Sequence, residues 1–315
     1  MTLQLETPVA VTGTDSITAN ILDASNPQTL LNHQAPIVKQ PTAWTRLRRR
    51  PAAMISLILL LTVAAVAFGA TGLHTVDPAR QNLQAINQWP SATHWLGTDG
   101  FGRDLFARLL MGIRVSLTVA FFAGLIDLTV GVAWGLLSGL SSPRVDNIMQ
   151  RILEILGGIP ALVILVLMLT ALPPGLLTIV LAMSLTGWIP MARLVRSQGL
   201  RLKNQEFVLA SRTLGASRTR IALRHILPNS IGLIIVQTVF TIPTAIFFEA
   251  FLSFIGLGLR PPVASLGTLL STGFQTFQFL PFQMLVPAIA LSVIMIAFNL
   301  LADGLRDAFD SRVSK

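Results

Sequence analysis

No charged side chain occurs between Ala52 and Leu73. As a helix rising about 1.5 Å per residue, this run covers roughly 30 Å, the depth of a bilayer's hydrocarbon core. Lipid leaves few options, because every backbone polar group inside it must be satisfied internally. Composition points the same way: 52% of the 315 residues are hydrophobic and 12% are charged, too few charges for a water-soluble surface. No strand-period alternation suggests a barrel, so the expected fold class is an all-α membrane bundle.

Six spans can be drawn, at about 52–73, 112–140, 155–172, 176–194, 231–257 and 284–302. The short Pro173-Pro174-Gly175 turn separates the third from the fourth, and Pro160, Pro190, Pro243 and Pro287 predict kinks. Residues 1–45 are expected to be a disordered cytoplasmic tail, and residues 46–315 a transmembrane domain. Ala65-Val66-Ala67 resembles a signal-peptide cleavage site. The polar lead before the first apolar run is too long for that, and further spans follow it.

The formal charge is +9. With the N-terminus in the cytoplasm, the tail, residues 141–153, residues 193–224 and the C-terminal tail carry 5, 2, 8 and 3 Lys or Arg, or 18 of the 23. The positive-inside rule therefore predicts N-in, C-in topology. A charge divided among loops argues against nucleic acid as a partner. The chain has no cysteine, which excludes disulfides and Cys-based metal sites.

One loop, Arg193 to Arg224, holds eight basic residues against the single acid Glu206. Within it, Phe207, Val208, Ala210 and Leu214 are spaced for a short amphipathic helix over 205–214. Asn204 is the expected N-cap, Glu206 suits the first turn, and Gly215 suits the stop. A second short helix is expected from about Ser217 to His225, ended by Pro228. Such helices either anchor on anionic lipid or dock a cytoplasmic partner.

The pattern E-F-V-x-A-S-x-x-x-G from Glu206 to Gly215, followed by H-I-L-P-N from His225 to Asn229, resembles the signature of permeases of ATP-binding-cassette importers. The run LGTDGFGRDLFARLLMGIR, from Leu96 to Arg114, resembles the peptide and nickel subfamily of these permeases. RILEILGGIP and the long N-tail look most like the C-type subunit of oligopeptide importers. The resemblance covers roughly residues 45–312. The chain departs from the pattern at Ser265-Leu266-Gly267, at Ala302, at His94-Trp95-Leu96 and at Asp127, which falls in a span where apolar residues are usual.

The resemblance implies a permease subunit of the bacterial cytoplasmic membrane, paired with a second, homologous permease. It also implies two cytoplasmic ATPase subunits carrying ATP and Mg, and an extracytoplasmic substrate-binding protein. Glu206, Phe207, Ala210, Ser211, Gly215, Arg218, Ile226, Leu227 and Pro228 would form the ATPase-docking motif. Gly97, Asp99, Gly102, Arg103 and Asp104 would form an external loop motif, whose glycines, with Gly100 and Gly112, fit tight turns. Oligopeptides are the expected substrate, with dipeptides, glutathione or nickel behind them.

No catalytic residues are expected of this chain. It has no Gly-Lys-Ser/Thr ending for a phosphate loop and no Gly-x-Ser-x-Gly elbow. The histidines, His33, His74, His94 and His225, are scattered, so no metal site is supported. Asp127 and Glu249 lie deepest in predicted spans, where an ionisable group is costly and usually faces the bundle interior or a water-filled cavity. Both are candidates for the translocation path, Asp127 as a contact for a peptide amine and Glu249 more as a structural partner to a hydroxyl. The rival class is an ion-coupled secondary transporter, which would need more intramembrane ionisable groups and often an inverted repeat.

Overall fold

The computed structural model describes residues 42–69 and 77–309. The expected disordered tail, His33, His74 and the end of the first predicted span fall wholly or mostly outside the described residues. The described secondary structure is helical, with a single isolated bridge between Thr98 and Asp104.

A short helix α1 (Ala43–Arg48) leads into α2 (Pro51–Gly69). Then come α3 (Leu105–Leu140), α4 (Pro143–Gly158), α5 (Ala161–Ala171), α6 (Leu176–Ser184), α7 (Ile189–Leu202) and α8 (Glu206–Thr213). Last come α9 (Arg218–Phe254), α10 (Leu266–Gln275) and α11 (Phe282–Phe309). Five stretches are long and apolar enough to cross a membrane: α2, α3, α6 with α7, α9 and α11. The α4–α5 pair makes a sixth if its two halves, bent by 76°, count as one span.

Several boundaries differ from the sequence expectation, each for a local reason. Helix α3 starts at Leu105 rather than near 112 because Asp104 caps it, its carboxylate accepting from the Ala107 N–H. Gly112 is therefore helical, not a turn. It lies where a Cβ would sit 3.1 Å from the Ser265 backbone, so it admits close approach of α10. The third span is broken at Ile159-Pro160, and its first half, α4, is amphipathic rather than apolar. The fourth predicted span corresponds to α6 and α7, interrupted at Leu185–Trp188, and it runs on to Leu202.

Pro228 does not end a helix. The chain passes from Arg218 through a π-helical turn at Ala222–Ile226 straight into the apolar part of α9. The wider turn tolerates the missing proline N–H near its own end. The cap of α8 is the backbone of Gln205, without a side-chain hydrogen bond, and not Asn204. Between α9 and α11 lies α10, whose start is closed by a reciprocal Ser265–Thr268 capping box.

The tightest packing in the bundle joins α3 to α7. Gly131, Gly135 and Gly139 recur every four residues on one face of α3. A Cβ on Gly131 would lie 2.6 Å from Met191 Cβ, and one on Gly135 would lie 2.6 Å from Val195 Cβ. Small residues let two backbones approach within lipid, where packing rather than water drives association. Elsewhere, Leu47, Ala53 and Ala308 pack together, and Arg50 meets Asp307 at 3.2 Å. These contacts pin α1 and α2 to the last helix.

Candidate functional site

Three groups of residues carry chemistry beyond packing. The first is the turn between α8 and α9. Val208 is fully buried and joins Leu136, Met191, Val195, Ile221 and Ile226. That anchor leaves Phe207, Leu209 and Leu214 facing outward, with Leu214 87% exposed. The Ala216 N–H bonds the Ser211 carbonyl at 3.1 Å and the Gly215 N–H bonds the Arg212 carbonyl at 2.9 Å. These two bonds make a Schellman stop, which requires a left-handed residue after the helix. Gly215 supplies it with φ +82°. Its missing side chain faces open space, so glycine is needed here for its backbone angle.

Ser217 then caps the start of α9 by accepting from the Arg220 N–H. Of the residues expected in this motif, Glu206, Phe207, Ala210, Gly215, Arg218 and Pro228 are exposed. Ser211 and Leu227 are half-buried, and Ile226 is buried as packing. Leu214, expected only as an apolar position of the amphipathic helix, is exposed, and so is Leu223, which the sequence reading did not single out. Arg196 on α7, the helix that leads toward the turn, bonds both oxygens of Asp146 on α4 at 2.7 Å. Ser138 on α3 also donates to Asp146. Neither Asp146 nor Arg196 was singled out, since fifty residues separate them in sequence.

The second group is a cleft of about 500 Å³ inside the helix bundle. Its wall includes both helix interruptions, at Ile159-Pro160 and at Thr186-Gly187, together with Gln237, Thr241 and Thr244 of α9 and Asn299 of α11. Asp127 of α3 lies in this wall, 4% exposed, and its Oδ1 is buried without a hydrogen-bond partner. The carboxylate rests against the backbone of Gly187: a Cβ there would meet Asp127 Oδ2 at 2.5 Å.

Glu249 is not brought to this cleft. It is fully buried, accepting from Ser116 Oγ at 2.6 Å and from Ser253 Oγ at 2.8 Å. Ser116 in turn accepts from the Leu266 N–H. Glu249 thus ties α9 to α3 and the start of α10, and the two acids sit in different environments.

The third group is the loop before α3. Asp99 accepts through Oδ1 from the Phe101 and Arg103 N–H groups, and through Oδ2 from Arg103 Nε at 2.7 Å. Arg108 approaches the same oxygen at 3.4 Å. His94 Nδ1 lies 2.8 Å from Asp104 Oδ2. Gly97 and Gly102 adopt φ +77° and +67°, and each lies against backbone that a side chain would strike. The five expected motif residues are therefore gathered into one turn. Gln283, which sequence reasoning missed, reaches in from α11 and donates to the Thr98 carbonyl and to Asn87 Oδ1.

The chain is similar to known proteins over most of its length. The family described as "Binding-protein-dependent transport system inner membrane component" matches residues 131–315, and the one described as "N-terminal TM domain of oligopeptide transport permease C" matches residues 42–90. The oligopeptide transport system permease protein OppC of Bacillus subtilis is 45% identical over 87% of this chain and 90% of its own length. The dipeptide permease DppC of the same organism is 44% identical over 90% and 91%. OppC of Escherichia coli K12 is 38% identical over 93% and 99%. Among solved structures, an inward-facing form of the MetNI methionine ABC transporter aligns with a TM-score of 0.54 at 19% identity, covering 65% of this chain and 98% of that one. That likeness speaks to the fold alone. The chain is a multi-pass protein of the bacterial inner membrane and belongs to the family of inner-membrane components of binding-protein-dependent transport systems.

Proposed function

We propose that this chain is one of two homologous permease subunits in an ATP-driven importer of peptides, oligopeptides before dipeptides or glutathione. The observation that carries the reading is the exposed turn from Glu206 to Pro228, with Leu214 projecting beyond the glycine stop. An exposed apolar tip flanked in sequence by the exposed Arg212, Arg218, Arg220 and Arg224 suits docking onto an acidic cleft of a separate ATPase subunit. ATP and Mg belong to two such ATPase subunits. The substrate class is taken from the relatives, whose names specify oligopeptide and dipeptide transport.

In this scheme residues 46–315 form the transport domain with both termini in the cytoplasm, and residues 1–45 form a separate tail. The loop containing Gly97, Asp99, Gly102, Arg103 and Asp104 faces the extracytoplasmic substrate-binding protein. Closure of the ATPase pair displaces the docked turn, and the motion passes through α7 to the cleft, alternating its access. Asp127 belongs to the translocation path.

Purification of the tagged chain tests the reading. ATPase subunits and a second permease are expected to accompany it, and vesicles containing the complex are expected to accumulate peptide only with ATP. Proton- or sodium-driven uptake by the chain alone would overturn it.

A further inference from the structure

The cleft around Asp127 has an unusual polar inventory. Its one ionisable side chain is the carboxylate, and no Lys, Arg or His lines it. Some of the neutral polar groups have engaged donors. Thr241 and Thr244 give their hydroxyl protons to the carbonyls of Gln237 and Phe240, at 3.1 and 3.2 Å. Asn299 Nδ2 donates to the Met295 carbonyl at 3.0 Å. Thr241 and Thr244 thus offer the cleft oxygen lone pairs, while the amides of Gln237 and Asn299 and the Thr186 hydroxyl can still donate as well as accept.

A buried, unpartnered carboxylate beside the free oxygens of Thr241 and Thr244 disfavours anions and suits a group that brings several N–H donors and a positive charge. A compact ammonium has three donors and no acceptor. It would also relieve the carboxylate, whose burial without a partner is costly. A divalent metal is a poorer match, since among the described residues no three His, Cys, Asp or Glu come together. Gly187 completes the site: without a side chain it leaves the carboxylate room against the helix interruption.

We propose that Asp127 and the polar wall around it form an ammonium-binding site, which takes the amino terminus or a lysine side chain of a peptide on its way through. This rests on the reading of the chain as a peptide permease. Asp127 would then set which peptides pass efficiently after delivery.

The test uses the intact importer purified with its partner subunits. Its heat-stability midpoint is measured with three probes at equal, high concentration: trialanine, N-acetyl-Ala-Lys-Ala and N-acetyl-trialanine. The first carries only a terminal ammonium, the second only a side-chain ammonium, and the third carries neither. Binding to the folded state raises the midpoint. At least one ammonium-bearing probe is expected to raise it, and which one does so identifies the source; N-acetyl-trialanine is expected not to.

Asp127→Asn should abolish the shift, and should raise the KM for uptake of the effective peptide about tenfold, the equivalent of one charge-assisted hydrogen bond. Gly187→Ala keeps the charge but pushes the carboxylate aside, so it should reproduce the loss, and it carries the test if Asp127→Asn fails to assemble. Equal shifts with all three probes, no shift with any, or a shift retained in both variants would overturn the site. ATP-dependent uptake by the same preparations separates the two levels. Uptake that persists without an ammonium-specific shift removes the site and leaves the importer, whereas absence of uptake by the wild type removes both.

Discussion

Arg196 grips Asp146 with two parallel hydrogen bonds of 2.7 Å, joining the amphipathic helix α4 to the helix that leads into the exposed turn. Ser138 on α3 donates to the same carboxylate, and Lys203 reaches the Gly139 carbonyl. Three helices, α3, α4 and α7, are thus fixed at one point. Bidentate geometry makes the pair stronger and more directional than a simple surface ion pair.

Replacing Arg196 by Leu leaves a buried carboxylate without its main partner. A loss of about 1–3 kcal/mol is expected, as for hydrogen bonds to charged groups. Thermal unfolding of the purified complex measures it. Asp146→Asn combined with Arg196→Leu should cost less than the sum of the single changes, because the two share one interaction. Additive losses would show that the residues act independently.

The α3–α7 seam leaves no room for side chains. Gly135→Leu would place carbon atoms into Val195 and the Ala192 carbonyl, so the helices must separate. Membrane yield and heat stability should both fall sharply, and Gly135→Ala should fall less. Gly69 and Gly158, where an added Cβ would meet nothing within 4 Å, serve as controls, and alanine at either should leave yield unchanged.

Gly215→Val forces a β-branched residue into a left-handed angle, at a cost of about 1–2 kcal/mol for that one residue. The turn should rearrange while the helices around it stay packed. Expected results are normal membrane insertion and ATP hydrolysis no longer linked to peptide uptake. Gly215→Asn should be milder, since asparagine tolerates this region. Full uptake by the valine variant would argue against docking through this turn.

Glu249→Ala strands the hydroxyls of Ser116 and Ser253 and opens a void at a fully buried position. A stability loss above about 2 kcal/mol is expected from the combined effects. Relative uptake of cationic and neutral peptides should not change, in contrast to Asp127→Asn. A change in that ratio would place Glu249 on the path after all.

The spans were legible because uncharged apolar runs have few other uses, and the stop at Gly215 because a left-handed angle strongly favours glycine. Helix limits were less legible. Arg108 interrupts the apolar run between Leu105 and Met111, and only the Asp104 cap shows that the helix begins there. The continuous run through Pro228 was hidden for a similar reason, because proline rules describe α-helical interiors and not π-helical turns. Asp127 was visible as an oddity in an apolar run. Its setting was not, since the polar wall is assembled from Gln237, Thr241, Thr244 and Asn299, more than a hundred residues downstream. The Asp146–Arg196 pair and Gln283 were missed because long-range polar pairs leave no local periodicity.

The glycine face of α3 also has a consequence for biogenesis. Met191, which covers Gly131, is made sixty residues later in the chain. At synthesis rates of about 5–20 residues per second, α3 waits roughly 3–12 s for its partner. During that interval its exposed backbone stripe lies open to lipid, to other helices and to the insertion machinery. The seam that holds the finished bundle most tightly is therefore also the one that must be protected longest while the protein is being made.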